Sequence, residues 1–506
     1  MTTMASLKVA HSRGSLGYLQ GATSISGKGP LMADAVPDPN SNETNERRRK
    51  WTTLSIYLAA VVERADEQIL PALYYFVGVS FGATPSQLGI MTLARALVQA
   101  LTSPLSGVLG DIHDRVQIIA AGCFLWGVMT AAMGLAGNFV AAVFFSAWNG
   151  LGLSLVIPSS QSLIADYYPP RMRGKAFGLL YMTGSFGGML AGVFATNIGG
   201  RRPYGTEGWR FAYFCIAMVS VVTGAAVLIC AVDPRRGVAS NSRRTITNSM
   251  WVETEAIFRI RSFQIIIMQG IAGAMPWFAF GYLTLWFQLL GFSDWHASIL
   301  VAMFGLSTAI GSSFIGGLLG DIASVASSNN GRIIVAQVST FCGIVLSVVL
   351  LRGLPHVDVE QHYAKYMTVV IVMGLTVSWC AAACIGPVFS EIVPEHIRSM
   401  IYAYDRCMEV AIAACATPVV GLIAENFYGY EGPVAPRQTD SGNVTDFGSD
   451  RHSHNAEALG NALLISLLVP WTFTLVCYGL LFNSYPKDKQ RLILPDVYAR
   501  LPPVEI

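Results

Sequence analysis

Gly107-Val-Leu-Gly-Asp111-Ile and Gly317-Leu-Leu-Gly-Asp321-Ile are two copies of one hexapeptide in a chain of 506 residues. A second pair follows in the same order: Asp166-Tyr-Tyr-Pro169-Pro-Arg-Met-Arg173 recurs as Glu391-Ile-Val-Pro394-Glu-His-Ile-Arg398. Two matched pairs in matched order indicate a chain built from two parallel repeats, an arrangement known among membrane carriers. Around the copies the sequence breaks into apolar runs at 51–79, 86–108, 117–136, 139–164, 175–198, 210–232, 263–290, 297–320, 332–351, 366–389, 400–424 and 458–482. Each has the length of about 20 residues that a helix needs to cross the hydrocarbon core. The short alternating segments of a membrane β-barrel are absent from the sequence. The expected fold class is an all-α membrane protein of twelve transmembrane helices, arranged as two six-helix halves.

Composition agrees. Of the residues, 53% are hydrophobic and only 13% charged, about half the charged share of a soluble domain. A net charge of +2 gives no reason to expect a nucleic-acid partner. All nine cysteines fall inside apolar runs with no CxxC pair, so they read as packing residues rather than metal ligands or disulfides. The domain boundaries expected are a polar tail at 1–50, a first half at 51–232, a charged linker at 233–262, a second half at 263–482 and a polar tail at 483–506. Residues 251–261 suit an amphipathic interfacial helix, and 425–457 a polar loop. Residues 1–33 lack Asp and Glu, which fits either a transit peptide or a disordered tail. Most loop Lys and Arg lie on the side of both termini, among them Arg47 to Lys50, Arg171, Arg173, Lys175, Arg235 and Arg236. That side is therefore expected to be cytoplasmic, with the identity of the membrane left open.

With these motifs in hand, the chain resembles the major facilitator superfamily over residues 51–482. Gly107-x-Leu-x-Asp111-x-x-x-Arg115 is similar to that family's cytoplasmic loop signature, with Asp114 where a glycine is usual. The run Gly150-Leu-Gly152, Ser162-Leu-Ile-Ala-Asp166 and Arg173-Gly-Lys-Ala-Phe-Gly178 resembles the spinster-like branch of organic-anion and lysolipid carriers. Leu153 stands where that branch usually has an acid, and Ser146 where many drug antiporters carry arginine. The resemblance implies the major facilitator fold with a central cavity, and solute transport by alternating access.

The loop motifs also have a direct physical reading. A glycine one turn before an aspartate lets two helix ends approach closely, and the aspartate can face a helix N-terminus. Arg115, Asp166 and Arg173 can form an ion-pair chain in one half, and Asp321, Glu391 and Arg398 in the other. Together with Gly107, Asp111 and Gly317 they form a candidate cytoplasmic gate; plain interfacial charge is the alternative.

Charges inside the spans point to the candidate binding site. Glu63 and Glu67 lie roughly 18 and 24 Å along the helix from Trp51, and Arg95 about 24 Å in from Asp111. Glu63, Asp66 and Glu67 share a face by their spacing, and the eleventh span adds Asp405, Arg406 and Glu409. With Arg64, these make five acids against three bases. Charges at such depth are costly unless paired or hydrated, and mark transport pathways. An unmatched carboxylate there takes up a proton or a cation. One of Glu63 and Glu67 is expected to pair with an arginine while the other exchanges a proton; a structural ion pair is the alternative. Gly184, Gly188 and Gly192 read as a packing stripe, and Pro276-Trp277 as either a cavity wall or packing.

The sequence holds no Walker loop, HExxH or GxSxG motif. The expectation is therefore not an enzyme but a proton-coupled symporter of a small organic solute, anionic or a lysolipid. It would act as a monomer among membrane lipids, with no cofactor and no metal. A sensor or scaffold that retains the fold is the alternative, and an intramembrane enzyme using Glu63 and Glu67 the weakest one.

Overall fold

The computed structural model describes residues 39–168, 170–234, 258–392, 398–432 and 446–493. The chain divides into two compact units, 1–46 and 47–506, and the second holds the helical bundle. Among the described residues the first half contains α1 (Pro39–Ala72, continued by Tyr74–Phe81), α2 (Pro85–Ile112), α3 (Arg115–Leu135), α4 (Phe139–Tyr167), α5 (Pro170–Gly199) and α6 (Gly208–Cys230). The second half contains α7 (Arg261–Leu290), α8 (Asp294–Ala326), α9 (Gly331–Gly353) and α10 (Val359–Phe389, helical on to Ile392). It is completed by α11 (Arg398–Ala413, continued by Ala416–Phe427) and α12 (Asp446–Ile493).

Eleven of these helices are long and apolar enough to cross a membrane. The exception is α1, because Glu63, Arg64, Asp66 and Glu67 interrupt its apolar run and the helix breaks at Leu73. It is nonetheless embedded in the bundle. The glycine stripe of α5 lies directly against it, with Gly184 and Gly188 on Arg64, Gly187 on Val61 and Gly192 on Gln68.

Some boundaries differ from the sequence reading. The C-terminal tail is helical as far as Ile493, and its Asp488 caps α7 by accepting bonds from the Ser262 amide at 3.0 Å and hydroxyl at 2.7 Å. A helix N-terminus presents unpaired amides, and a carboxylate satisfies them. The helix α12 also begins at Asp446, inside the expected loop. The expected amphipathic segment at 251–261 lies largely outside the described residues.

Within each half, α2 packs on α4, α3 on α4 and α6, α7 on α12, and α8 on α10. Between halves, α2 packs on α11 and α5 on α8. We call the bundle end near Trp51 and Tyr485 the terminal end, and the opposite one the far end. At the far end one apolar core spans both halves, running from Leu73, Tyr74 and Leu88 to Tyr282, Trp286 and Val420. Toward the terminal end the core divides. Ile56, Val62, Trp126 and Leu163 belong to one cluster, and Phe263, Ile266, Phe389 and Tyr478 to another. Among the described residues, a shared apolar core thus joins the halves at the far end only.

Side-chain hydrogen bonds between halves follow the same division. Among the described residues, Tyr282 donates to the Pro85 carbonyl at 2.6 Å and Asn197 to Ser298 at 3.0 Å. Glu425 accepts from the Ser86 amide at 2.8 Å and its hydroxyl at 2.9 Å, so the second half caps the first turn of α2. Nearer mid-bundle, the Cys407 thiol approaches the Ala100 carbonyl at 3.3 Å.

Candidate functional site

The charges of α1 meet Arg95 of α2 deep in the first half. Gly150 of α4 makes this possible: a Cβ there would fall 2.2 Å from the Arg95 carbonyl, so only glycine lets α4 lie this close to α2. Arg64 Nη1 donates to Glu67 Oε2 at 2.5 Å, and Arg95 Nη2 stands 3.6 Å from Glu67 Oε1. Glu67 therefore lies between two guanidiniums. Glu63 Oε2 is 3.7 Å from Arg64 Nε, while its Oε1 is buried with no hydrogen-bond partner. Arg95 Nη1 is buried and without a hydrogen-bond partner as well. The side chain of Arg64 is 44% exposed. At that depth such exposure means an opening that water or solute can enter, because a guanidinium facing hydrocarbon is far costlier.

Asp66 corrects the single-face reading. It turns away from this group toward α3 and α4, where the Thr130 hydroxyl donates to Oδ1 at 2.6 Å and the Asn149 amide to Oδ2 at 2.9 Å. Nothing in the sequence reading used Thr130 or Asn149. The available signal was an asparagine in the middle of an apolar run.

In the second half, Asp405 and Glu409 of α11 are buried. Glu409 rests on α7 at Gly270, where a Cβ would fall 1.7 Å from its Oε1. The side chain of Arg406 lies outside the described residues. Trp277 is 40% exposed and opens an aromatic wall: it stacks on Phe304 at 6.4 Å, and Phe280 contacts Phe304 at 4.9 Å and Trp471 at 5.9 Å.

At the terminal end, Arg115 is 1% exposed and fully engaged. Its Nη2 and Nε bind Asp233 at 2.5 and 2.9 Å, and its Nη1 binds Asp166 at 2.7 Å and Ser162 at 2.9 Å. The Arg115–Asp166 pair was expected, whereas Asp233 was read only as part of a charged linker. Its signal was the sequence Val232-Asp233-Pro234 directly after α6. Asp114 adopts φ −62° and ψ 119° and caps α3 by accepting from the Val116 amide at 2.9 Å. No left-handed conformation is needed there, which is why aspartate can replace the usual glycine.

The second copy is wired differently. Asp321 pairs with Arg332 at 3.0 Å, and Arg332 also donates to the Ala383 carbonyl at 3.2 Å. Glu391 pairs with Lys489 at 2.7 Å and accepts from the Tyr485 hydroxyl. Burial alone would raise the Glu391 carboxyl, but Lys489 and Tyr485 hold it below the ordinary glutamate range. Among the described residues, the base on Glu391 is Lys489 of α12. The side chains of Asp111, Arg173 and Arg398 lie outside the described residues, as do the surroundings of Gly107. Gly317 has nothing within 4 Å of where a Cβ would stand.

Comparison with known proteins adds the following. Residues 56–418 match the family model described as Major Facilitator Superfamily. The chain is 22% identical over 414 residues to Protein spinster of Drosophila melanogaster, covering 79% of this chain and 66% of that protein. It is 24% identical over 239 residues to the sphingosine-1-phosphate transporter of Danio rerio, covering 45% of this chain and 44% of that protein. The matches thus span less than two thirds of either relative's length. Among solved structures, a bacterial homolog of the human lysosomal transporter Spinster, inward-facing and unoccupied, superposes with a TM-score of 0.73 at 19% identity. That match covers 87% of this chain and 98% of that one. A D-xylose–proton symporter superposes with a TM-score of 0.57 at 17% identity, covering 84% and 97%.

Proposed function

This chain belongs to the Major Facilitator Superfamily, and on that premise we propose that it is a proton-coupled secondary transporter of a small organic solute, working by alternating access between its halves. The observation that carries the coupling is the unequal pairing within α1. Glu67 offers its two oxygens to Arg64 and Arg95, whereas Glu63 keeps one buried oxygen with no hydrogen-bond partner. Among the described residues of this region, three acids of α1, Glu63, Asp66 and Glu67, stand against two bases, Arg64 and Arg95, and Asp66 is turned to the neutral donors Thr130 and Asn149, so one negative charge lacks a counter-charge. A proton on Glu63 restores the balance, and losing it on one side of the membrane couples the solute to the gradient.

The solute class follows from the two walls. Arg64 presents a half-exposed cation in the first half, and Trp277 an exposed aromatic surface in the second. An anionic head with an apolar remainder, such as a lysolipid, matches both. The zebrafish relative's name specifies another solute of that build. With both termini in the cytoplasm, the sealed far end is exoplasmic and this state opens inward.

Purified protein in liposomes with an imposed pH gradient tests the reading. The gradient is expected to drive accumulation of an anionic amphiphile well above its equilibrium level, with collapse on adding a protonophore. Equal uptake with and without the gradient, across anionic, zwitterionic and neutral solutes, would contradict it.

A further inference from the structure

The far-end turn between α5 and α6 holds a residue in a conformation that its side chain disfavours. Tyr204 stands at φ 52° and ψ 28°, in the left-handed region, and is 94% exposed. Glycine and asparagine are the usual occupants there, and a bulky residue is an outlier. The conformation is imposed from both sides. Pro203 precedes it and Gly205 follows at φ 80°. The Gly205 amide donates to the Arg202 carbonyl at 3.3 Å, and the Thr206 amide and hydroxyl donate to the Pro203 carbonyl at 3.1 and 2.8 Å. Glu207 fixes the base of the turn by accepting from Arg210 at 2.7 Å, Trp209 at 3.1 Å and Ser80 of α1 at 3.2 Å. Strain retained in a rigid, exposed turn points to a use for the side chain that is strained.

The surroundings of Tyr204 indicate that use. Met218, Val222 and Ile229 of α6 are exposed at helical spacing, while Trp209, Ala212, Ile216 and Ser220 are buried. In a membrane-spanning helix such an apolar outward stripe faces lipid. Phe211 heads the stripe, two turns before Met218, and the Tyr204 ring lies 6.0 Å from the Phe211 ring. Tyr204 therefore carries the stripe past the end of α6, to the level of the headgroups, where tyrosine is enriched. Beside it Arg201 and Arg202 are both exposed. Among the described residues neither guanidinium has an ion pair or a hydrogen bond. The acids nearby are engaged elsewhere, Glu207 with Arg210 and Asp294 with Gln288 at 2.8 Å.

We propose that Arg201, Arg202 and Tyr204 form a docking site for the phosphate headgroup of an anionic phospholipid in the leaflet at the far end. The guanidinium forks match phosphate oxygens in geometry and charge. The phenol ring lies along the upper acyl chains with its hydroxyl toward water. Because the turn is already rigid, little ordering is lost when a headgroup binds. The site also adjoins the helices that close the far end. A Cβ on Gly200 would stand 3.2 Å from Phe76 of α1 and 3.5 Å from Asp294 of α8. A lipid held at this turn thus bears on both halves where they meet.

The test is native mass spectrometry of the full chain in detergent, titrated with phosphatidylglycerol or with phosphatidylcholine of the same acyl chains. The wild type is expected to retain phosphatidylglycerol in preference. In the Arg201→Ala/Arg202→Ala double variant, binding of one phosphatidylglycerol should weaken about 30-fold, roughly fivefold for each base at a charged surface. Tyr204→Asn suits the left-handed conformation, so it should weaken the same binding event several-fold while raising the midpoint of thermal unfolding in lipid-free detergent. That opposition separates a binding role from a packing role, because loss of packing would lower the midpoint. Equal retention of the two lipids by the wild type overturns the proposal. So does wild-type phosphatidylglycerol binding in the double variant, or a fall in midpoint with unchanged lipid binding in Tyr204→Asn.

Discussion

Arg115→Ala is expected to destabilise the first half by about 3–5 kcal/mol, the range for removing one partner of a buried ion pair. The cost arises from what remains. Asp233 is 4% exposed, and in the wild type its two oxygens receive the Nη2, Nε and backbone amide of Arg115. Without the guanidinium a buried carboxylate loses its counter-charge at the junction of α3 and α6. Asp166, with 26% of its side chain exposed, can turn to water instead. The variants should therefore rank, with Arg115→Ala most damaging, Asp233→Ala next and Asp166→Ala mildest. Denaturation midpoints of the purified variants measure this. Equal losses for Asp233→Ala and Asp166→Ala would show that the bidentate pair is not the principal contact.

Gly421→Ala is expected to open the far end. A Cβ at this position would stand 2.2 Å from the Ser86 amide nitrogen, and α2 cannot yield there without losing the cap from Glu425. Overpacking of this kind costs typically about 1–3 kcal/mol. The cost falls only on the state in which α2 and α11 touch, so the conformational equilibrium should move toward the far-end-open state by roughly 5- to 150-fold. Spin-label distances between the far ends of α2 and α11 should lengthen in the variant while overall stability changes little. An unchanged distance distribution would mean that this seam does not part.

How much of this could be read in the sequence varies with the range of the interaction. Apolar runs are local patterns, and they located most of the helices closely, including the short loop between α2 and α3. The partner of a charge is another matter. Arg115 lies far from Asp233 in sequence, and Glu391 far from Lys489, so only the folded halves bring them together. For Asp66, helical spacing put it on a common face with Glu63 and Glu67. That spacing fixes where the side chain leaves the helix but not which way it turns, and Thr130 and Asn149 decided the outcome. The C-terminal tail was misjudged because its polarity hides the capping role of Asp488. A polar helical extension looks like a loop when only hydropathy is considered.

The central claim is that Glu63 carries the coupling proton while Glu67 is held by Arg64 and Arg95. Two assays on the same liposomes separate these roles: accumulation driven by a pH gradient, and counterflow, in which labelled solute exchanges without net proton movement. Glu63→Gln is expected to abolish accumulation and leave counterflow near wild type. Glu67→Gln is expected to impair both, because it leaves Arg64 and Arg95 facing each other without their shared carboxylate. Wild-type accumulation by Glu63→Gln would contradict the account and move the search for the proton site to Asp405 and Glu409.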